Sequence, residues 1–189
     1  MSLAKLNEPL TFISKFVQSP RQVGSIAPSS RFLAAKMLAP IDWKNTSIVA
    51  ELGAGTGALT KYIHMFKQPD CKLFAFEKDQ QMRDRIQSSY PGTVCFADAL
   101  DLKEHLYSRL NAMEAPDVIV SGLPFALFEK RMRECIVEQA ADVLKPDGIF
   151  IAFQYSLQMK KLLINKFSRV DISFVSLNIP PAFMYVCHK

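Results

Sequence analysis

An apolar run that breaks into three closely spaced glycines and resumes as a helix leaves a chain few folds to choose from. Here Ser47–Leu52 reads as a buried strand and enters Glu51-Leu52-Gly53-Ala54-Gly55-Thr56-Gly57, after which a helical pattern runs to about Phe66. Glycines at a strand-to-helix turn let the backbone bend sharply and approach a ligand with no Cβ in the way. Alone, the motif says only that a nucleotide-like ligand is held there.

The rest of the chain repeats the same alternation. Strands are expected at Lys72–Glu77, Thr93–Ala97, Asp117–Ser121 and Gly148–Tyr155. Helices are expected at Gln80–Ser89, Leu100–Asn111, Phe128–Leu144 and Leu157–Phe167, and Lys145-Pro146-Asp147-Gly148 stops the third of these. Strand alternating with helix predicts parallel strands joined by right-handed crossovers. Two strands close the chain, Val170–Leu177 and Ala182–Cys187, joined by Asn178-Ile179-Pro180-Pro181. That link is too short for a crossover, so these two pair antiparallel. The expected architecture is a doubly wound α/β sheet whose ligands sit at the carboxyl ends of the strands.

The residues at those strand ends narrow the ligand. NAD and FAD sites use GxGxxG and lay a pyrophosphate on the helix N-terminus. Here the third glycine comes one residue early, and Glu51 enters the loop, where a pyrophosphate would be repelled and a cationic sulfonium amino acid tolerated. Glu77, 22 residues after Gly55, ends the second strand and can take both hydroxyls of a ribose. Asp98 ends the third strand, where it either contacts an adenine amine or caps the next helix. The set points to S-adenosylmethionine.

Together, Glu51–Gly57, Glu77, Ala97-Asp98-Ala99 and Ser121-Gly122-Leu123-Pro124 resemble the class I methyltransferase pattern over about residues 47–155. The resemblance implies a Rossmann-like, seven-stranded, mostly parallel sheet with the last strand reversed and helices on both faces. It implies S-adenosylmethionine held by Glu51, Gly53, Gly55, Gly57, Glu77, Asp98, Ala99 and Ser121.

A second resemblance covers nearly the whole chain. The run from Phe16 to Ser30, with Gly24-Ser25-Ile26-Ala27-Pro28-Ser29-Ser30 at its end, is similar to the segment ahead of the core in bacterial phospholipid N-methyltransferases. Ser121-Gly122-Leu123-Pro124 and Phe153-Gln154-Tyr155 resemble that family's fourth- and fifth-strand ends. The family methylates phosphatidylethanolamine, up to phosphatidylcholine, from the inner membrane surface. The competing resemblance is to ribosomal RNA adenine dimethylases, which carry an Asn where this chain has Gly122 and usually add a C-terminal helical domain. Gly122 has no amide to orient a target amine, and the chain ends with its sheet, so RNA is the less favoured partner.

On this reading the acceptor site draws on Arg21, Ser25, Arg31, Gly122, Pro124, Phe125 and Tyr155. Arg21 and Arg31 would seat a phosphate. Phe125 would stack on a base or meet a methylated ammonium, or else is an aromatic simply buried under the next helix. Tyr155, the one catalytic candidate, would be a wall or acceptor beside the reacting amine. His64, His105 and His188 are poorly placed for catalysis.

Residues 1–189 are expected to form one domain, with a helical segment over 1–46 ahead of the core at 47–189. Leu6, Leu10, Ile13 and Val17 recur at helical spacing beside Phe12 and Phe16, with Lys5, Lys15 and Arg21 around them. Such a helix either caps the domain or lies on an anionic membrane surface. A second helix is expected from Ser29 or Ser30 to Leu38. The net charge of +5 favours an anionic partner without choosing between membrane and nucleic acid. Four dispersed cysteines, Cys71, Cys95, Cys135 and Cys187, form no CxxC pair. They suggest reduced thiols, no metal site and a cytoplasmic chain, peripheral on the membrane at most. Nothing points to an obligate protein partner.

Overall fold

The computed structural model describes residues 28–189 except Leu177, with side chains from residue 32 onward. Helix α1 (Pro28–Leu38) leads to strand β1 (Ile48–Leu52), and α2 (Thr60–Phe66) connects it to β2 (Lys72–Phe76). Helix α3 (Gln80–Ser89) leads to β3 (Thr93–Phe96), and α4 (Leu102–Tyr107) to β4 (Val118–Ser121). Helix α5 (Lys130–Val143) leads to β5 (Ile149–Gln154), and α6 (Lys160–Lys166) to the closing pair β6 (Arg169–Val175) and β7 (Ala182–His188).

All seven strands form one sheet in the order β3-β2-β1-β4-β5-β7-β6. The first five are parallel. β7 runs antiparallel between β5 and β6, the reversed last strand that the sequence predicts. Strand β1 lies at the centre and all five of its residues are buried, four of them apolar and the fifth Glu51.

Alternate side chains feed two layers. Ile48, Ala50 and Leu52, with Phe74, Phe76, Ile119 and Phe150, pack under α4, α5 and α6 through Leu106, Ile136, Val137 and Leu163. Val49, Leu73, Val118, Val120 and Ile151 pack on the other face with Leu33 and Met37 of α1 and Ile63 of α2. Ile86 of α3 closes a smaller cluster with Ala54 and Ala75.

Three helices are shorter than expected; the one expected from Leu157 starts at Lys160, after a 3-10 turn over Leu157–Met159. The segment before α4 is a 3-10 turn, Ala99–Asp101, and α4 ends at Tyr107. The Ser108 hydroxyl there donates to the His105 carbonyl at 2.7 Å and competes with the helix for it. The helix expected from Phe128 starts at Lys130, because Phe125–Leu127 forms a 3-10 turn and Phe128 is extended at φ −87°, ψ 148°.

Candidate active site

The chain leaves β1 toward β2 and β3, then returns to β4 on the other side of β1. The carboxyl ends of β1 and β4 therefore flank the place where strand order reverses. The two loops leaving them touch backbone to backbone. The Gly122 amide donates to the Leu52 carbonyl at 2.8 Å. A Cβ on Gly122 would sit 3.0 Å from the Gly53 carbonyl oxygen. Gly53, at φ +75°, would put a Cβ 2.8 Å from Leu123 Cδ2 and 3.2 Å from the Leu123 nitrogen. Only glycine fits such an approach, and here it occurs from both sides.

The glycine loop is fastened to its neighbour strand. The Gly53 and Ala54 amides both donate to the Phe76 carbonyl, at 2.8 and 3.1 Å. One residue on, Glu77 Oε2 accepts from the Gly55 amide at 2.8 Å and Oε1 from the Asp79 amide at 2.9 Å. The Glu77 side chain is half-buried. Each of its oxygens holds one backbone donor and keeps lone-pair capacity for another.

Glu51 has a different post from the one its sequence position suggested. It is only 1% exposed, beneath the loop on the α2 face, and its Oε2 accepts from the Thr60 hydroxyl at 2.7 Å at the first residue of α2. A central strand flanked on both sides offers this side chain no open direction. Burial pushes its carboxyl from 4.5 up to about 8, against the pull of the Thr60 hydroxyl and amide. Asp98 takes the capping alternative: Oδ1 accepts from the Leu100 amide at 2.9 Å, while Oδ2 lies 3.9 Å from Lys78 Nζ. Ala99 is buried behind it. Ser121 is fully buried and its hydroxyl accepts from the Leu123 amide at 3.3 Å, a turn contact facing inward.

Two amides draw two further loops to the β4 loop at the same end. Gln154, buried at the end of β5, donates from Nε2 to the Leu123 carbonyl at 3.0 Å. Tyr155 follows it, partly exposed, with its ring edge-on to Phe153 at 5.7 Å. The buried Asn178, from the β6–β7 link, lies near the Tyr155 hydroxyl and opposes the upward pull of burial on its pKa. Asn178 also donates from Nδ2 to the Pro180 carbonyl at 2.7 Å.

No family model matches this chain. A curated relative, the ornithine lipid N-methyltransferase of Singulisphaera acidiphila, is 33% identical over 181 residues and spans 93% of each chain. The chain belongs to the class I, S-adenosylmethionine-dependent N-methyltransferases.

Solved structures share the methyltransferase fold. The N-methyltransferase NodS of Bradyrhizobium japonicum, in complex with S-adenosyl-L-homocysteine, superposes with a TM-score of 0.69 at 13% identity, covering 97% of this chain and 98% of that one. The Burkholderia thailandensis 1,6-didemethyltoxoflavin-N1-methyltransferase, also with S-adenosylhomocysteine, gives 0.70 at 15% identity over 100% and 91% of the two chains. The cofactor is S-adenosylmethionine, and the residues present fit it. The loops leaving β1 and β4 meet backbone to backbone at Gly53 and Gly122, and Glu77 ends the neighbouring strand with lone-pair capacity on both oxygens.

On the acceptor side the methyltransferase departs from expectation at Phe125. Its ring is fully buried and edge-on to Phe128, with centroids 5.9 Å apart. The 3-10 turn after Pro124 rotates it into the core, so it offers no face to a base or an ammonium. Gly122 and Pro124 lie in the loop after β4, which Gln154 ties to the end of β5 just before Tyr155, and Pro124 is half-buried as the residue before that turn. Arg21 and Ser25 lie outside the described residues, as does the side chain of Arg31.

The histidines are held elsewhere. His105 stacks on Phe96 at 4.4 Å, His64 lies against Tyr90, and His188 pairs with Asp171 on the surface. Sequence reasoning assigned no role to Gln154, Asn178 or Thr60. A polar residue ending an otherwise apolar strand was the available signal for Gln154.

Proposed function

We propose that the methyltransferase acts on the amine of a membrane-lipid headgroup, either phosphatidylethanolamine and its methylated derivatives or an ornithine lipid. The observation that carries this reading is the match over nearly the full length of both chains to an enzyme named for lipid N-methylation. The Ser121–Pro124 loop supports it from the other side. With Gly122 in place of an amide side chain, nothing there holds a flat base by its exocyclic nitrogen. The burial of Phe125 also removes the stacking face a base would use.

The cofactor supplies a methyl group on a sulfonium, already activated toward an amine. What remains for the protein is to hold, orient and exclude water. Glu77 is assigned to the ribose hydroxyls. The Gly53–Gly57 loop is assigned to the amino-acid end, above the buried Glu51. The reacting amine must be neutral, and Tyr155 is not its base. Burial raises the Tyr155 phenol above its usual 10, so the hydroxyl keeps its proton at neutral pH. It serves as a wall and as an oxygen that can accept an amine N–H. The proton released on methylation passes to water.

The test is transfer of labelled methyl groups to phosphatidylethanolamine and to ornithine lipid, each dispersed in detergent micelles. Label on either lipid's amine supports the reading and decides between the two headgroups. Label on neither, with the cofactor bound, rejects it.

A further inference from the structure

We infer that the stripe Leu157, Lys160, Lys161 and Ile164 is a docking surface for a lipid bilayer carrying anionic headgroups, an inference that rests on the lipid-amine reading above. These residues, three and four apart along a 3-10 turn and α6, share one side and line a shallow surface groove with Gln158 and Asn165. The core is served by the opposite side: Met159 and Leu163 are 2% and 1% exposed, while Leu157 and Ile164 are 45% and 51% exposed. The two apolar side chains are therefore surplus to the fold.

Charge fits the same partner. Residues 155–170 contain Lys160, Lys161, Lys166 and Arg169 and no acidic residue. Lys166 is neutralised by Glu138 at 2.5 Å and Arg169 by Asp171 at 2.8 Å. Lys160 and Lys161 have no ion-pair partner among the described residues. Two unpaired cations between two exposed apolar side chains match the boundary between acyl chains and anionic headgroups. A nucleic acid would answer the lysines but leave Leu157 and Ile164 with nothing to bury against.

Position completes the argument. Leu157 lies three residues after Gln154, whose amide bonds the Leu123 carbonyl at the mouth of the acceptor site, and the partly exposed Tyr155 stands between them. No helix among the described residues is long and apolar enough to cross a membrane. An enzyme of this build reaches a headgroup amine by bringing its mouth against the interface, and this stripe begins at the mouth.

The test uses the full chain with vesicles of phosphatidylcholine alone or mixed with phosphatidylglycerol, followed by flotation at low and high salt. The parent is expected on the anionic vesicles. K160E/K161E is expected to lower partitioning about tenfold or more. L157S/I164S is expected to lower it several-fold even at high salt. Both variants should bind S-adenosylhomocysteine as the parent does and still methylate lipid in detergent micelles.

If both variants float like the parent, the docking surface is overturned while micellar lipid methylation leaves the lipid reading intact. If vesicle recruitment depends on the stripe but no lipid is methylated in micelles, the docking surface stands and the lipid reading falls. RNA binding that K160E/K161E abolishes, without vesicle recruitment, overturns the bilayer in favour of nucleic acid.

Discussion

The Glu77 carboxylate accepts the Gly55 amide at 2.8 Å, so the residue assigned to the cofactor's ribose also holds the loop assigned to its amino-acid end. One side chain at the tip of β2 thus sets the distance between two parts of the cofactor site. Removing it loses a charge-assisted hydrogen bond to the backbone as well as the ribose contact. E77A is expected to weaken S-adenosylhomocysteine binding about ten- to a hundredfold by calorimetry. E77Q, which keeps one acceptor oxygen, should fall between E77A and the parent.

Gly53 offers a second lesion at the same place. An alanine there must adopt φ +75° and push its Cβ into Leu123. The strain costs about 1–3 kcal/mol, read as a lower midpoint in denaturant. Because the clash falls on the β4 loop, G53A should weaken cofactor binding and also raise KM for the acceptor. A cofactor defect alone would show that the two loops are not coupled.

Glu51 gives a pH signature. In the folded chain its carboxyl holds its proton up to about 8, against 4.5 for an ordinary glutamate. The folded state is therefore favoured most at low pH, where both states are protonated. That advantage is lost as pH rises toward the folded value, by an amount on the order of a few kcal/mol. E51Q keeps the Thr60 hydrogen bond and cannot ionise. The stability difference between E51Q and the parent should grow in favour of E51Q from about pH 5 to about pH 8, measured by denaturant unfolding without cofactor. A difference that stays flat with pH would mean that Glu51 is ionised in the folded chain.

Phe125 and Tyr155 should part company under mutation. F125A empties a fully buried site against Phe128 and should cost about 3–5 kcal/mol of stability. Y155F should leave stability nearly unchanged and raise acceptor KM several-fold. Its pH–rate profile should keep the parent's shape, because the phenol is not the base. A large KM effect from F125A at full stability would restore its ring to the acceptor site.

The sheet was legible because its central strands are short, mostly apolar and fully buried, as in Val118–Ser121 and Ile48–Leu52, where Glu51 alone breaks the run. The strand-end acids were legible by spacing alone, since Glu77 and Asp98 fall where β2 and β3 stop. The direction in which a side chain turns was not. Glu51 and Glu77 read alike in the sequence, yet Glu51 is sealed under α2 and Glu77 is half-buried beside the glycine loop. Phe125 follows a proline that could deliver it to either side, and only the 3-10 turn sends it inward. Gln154 and Asn178 act through loops that meet in space, Gln154 reaching a carbonyl 31 positions away. No local pattern encodes such a contact.

Methyl transfer to a lipid amine, with Glu77 holding the cofactor, can be read in a single assay. The most direct measurement incubates the parent and E77A with labelled S-adenosylmethionine and, side by side, total lipid and total RNA from the same cells. Label is expected in amine-bearing lipid with the parent, far less with E77A, and none in RNA. Label in RNA, or in neither fraction while S-adenosylhomocysteine still binds, would contradict lipid-amine methylation.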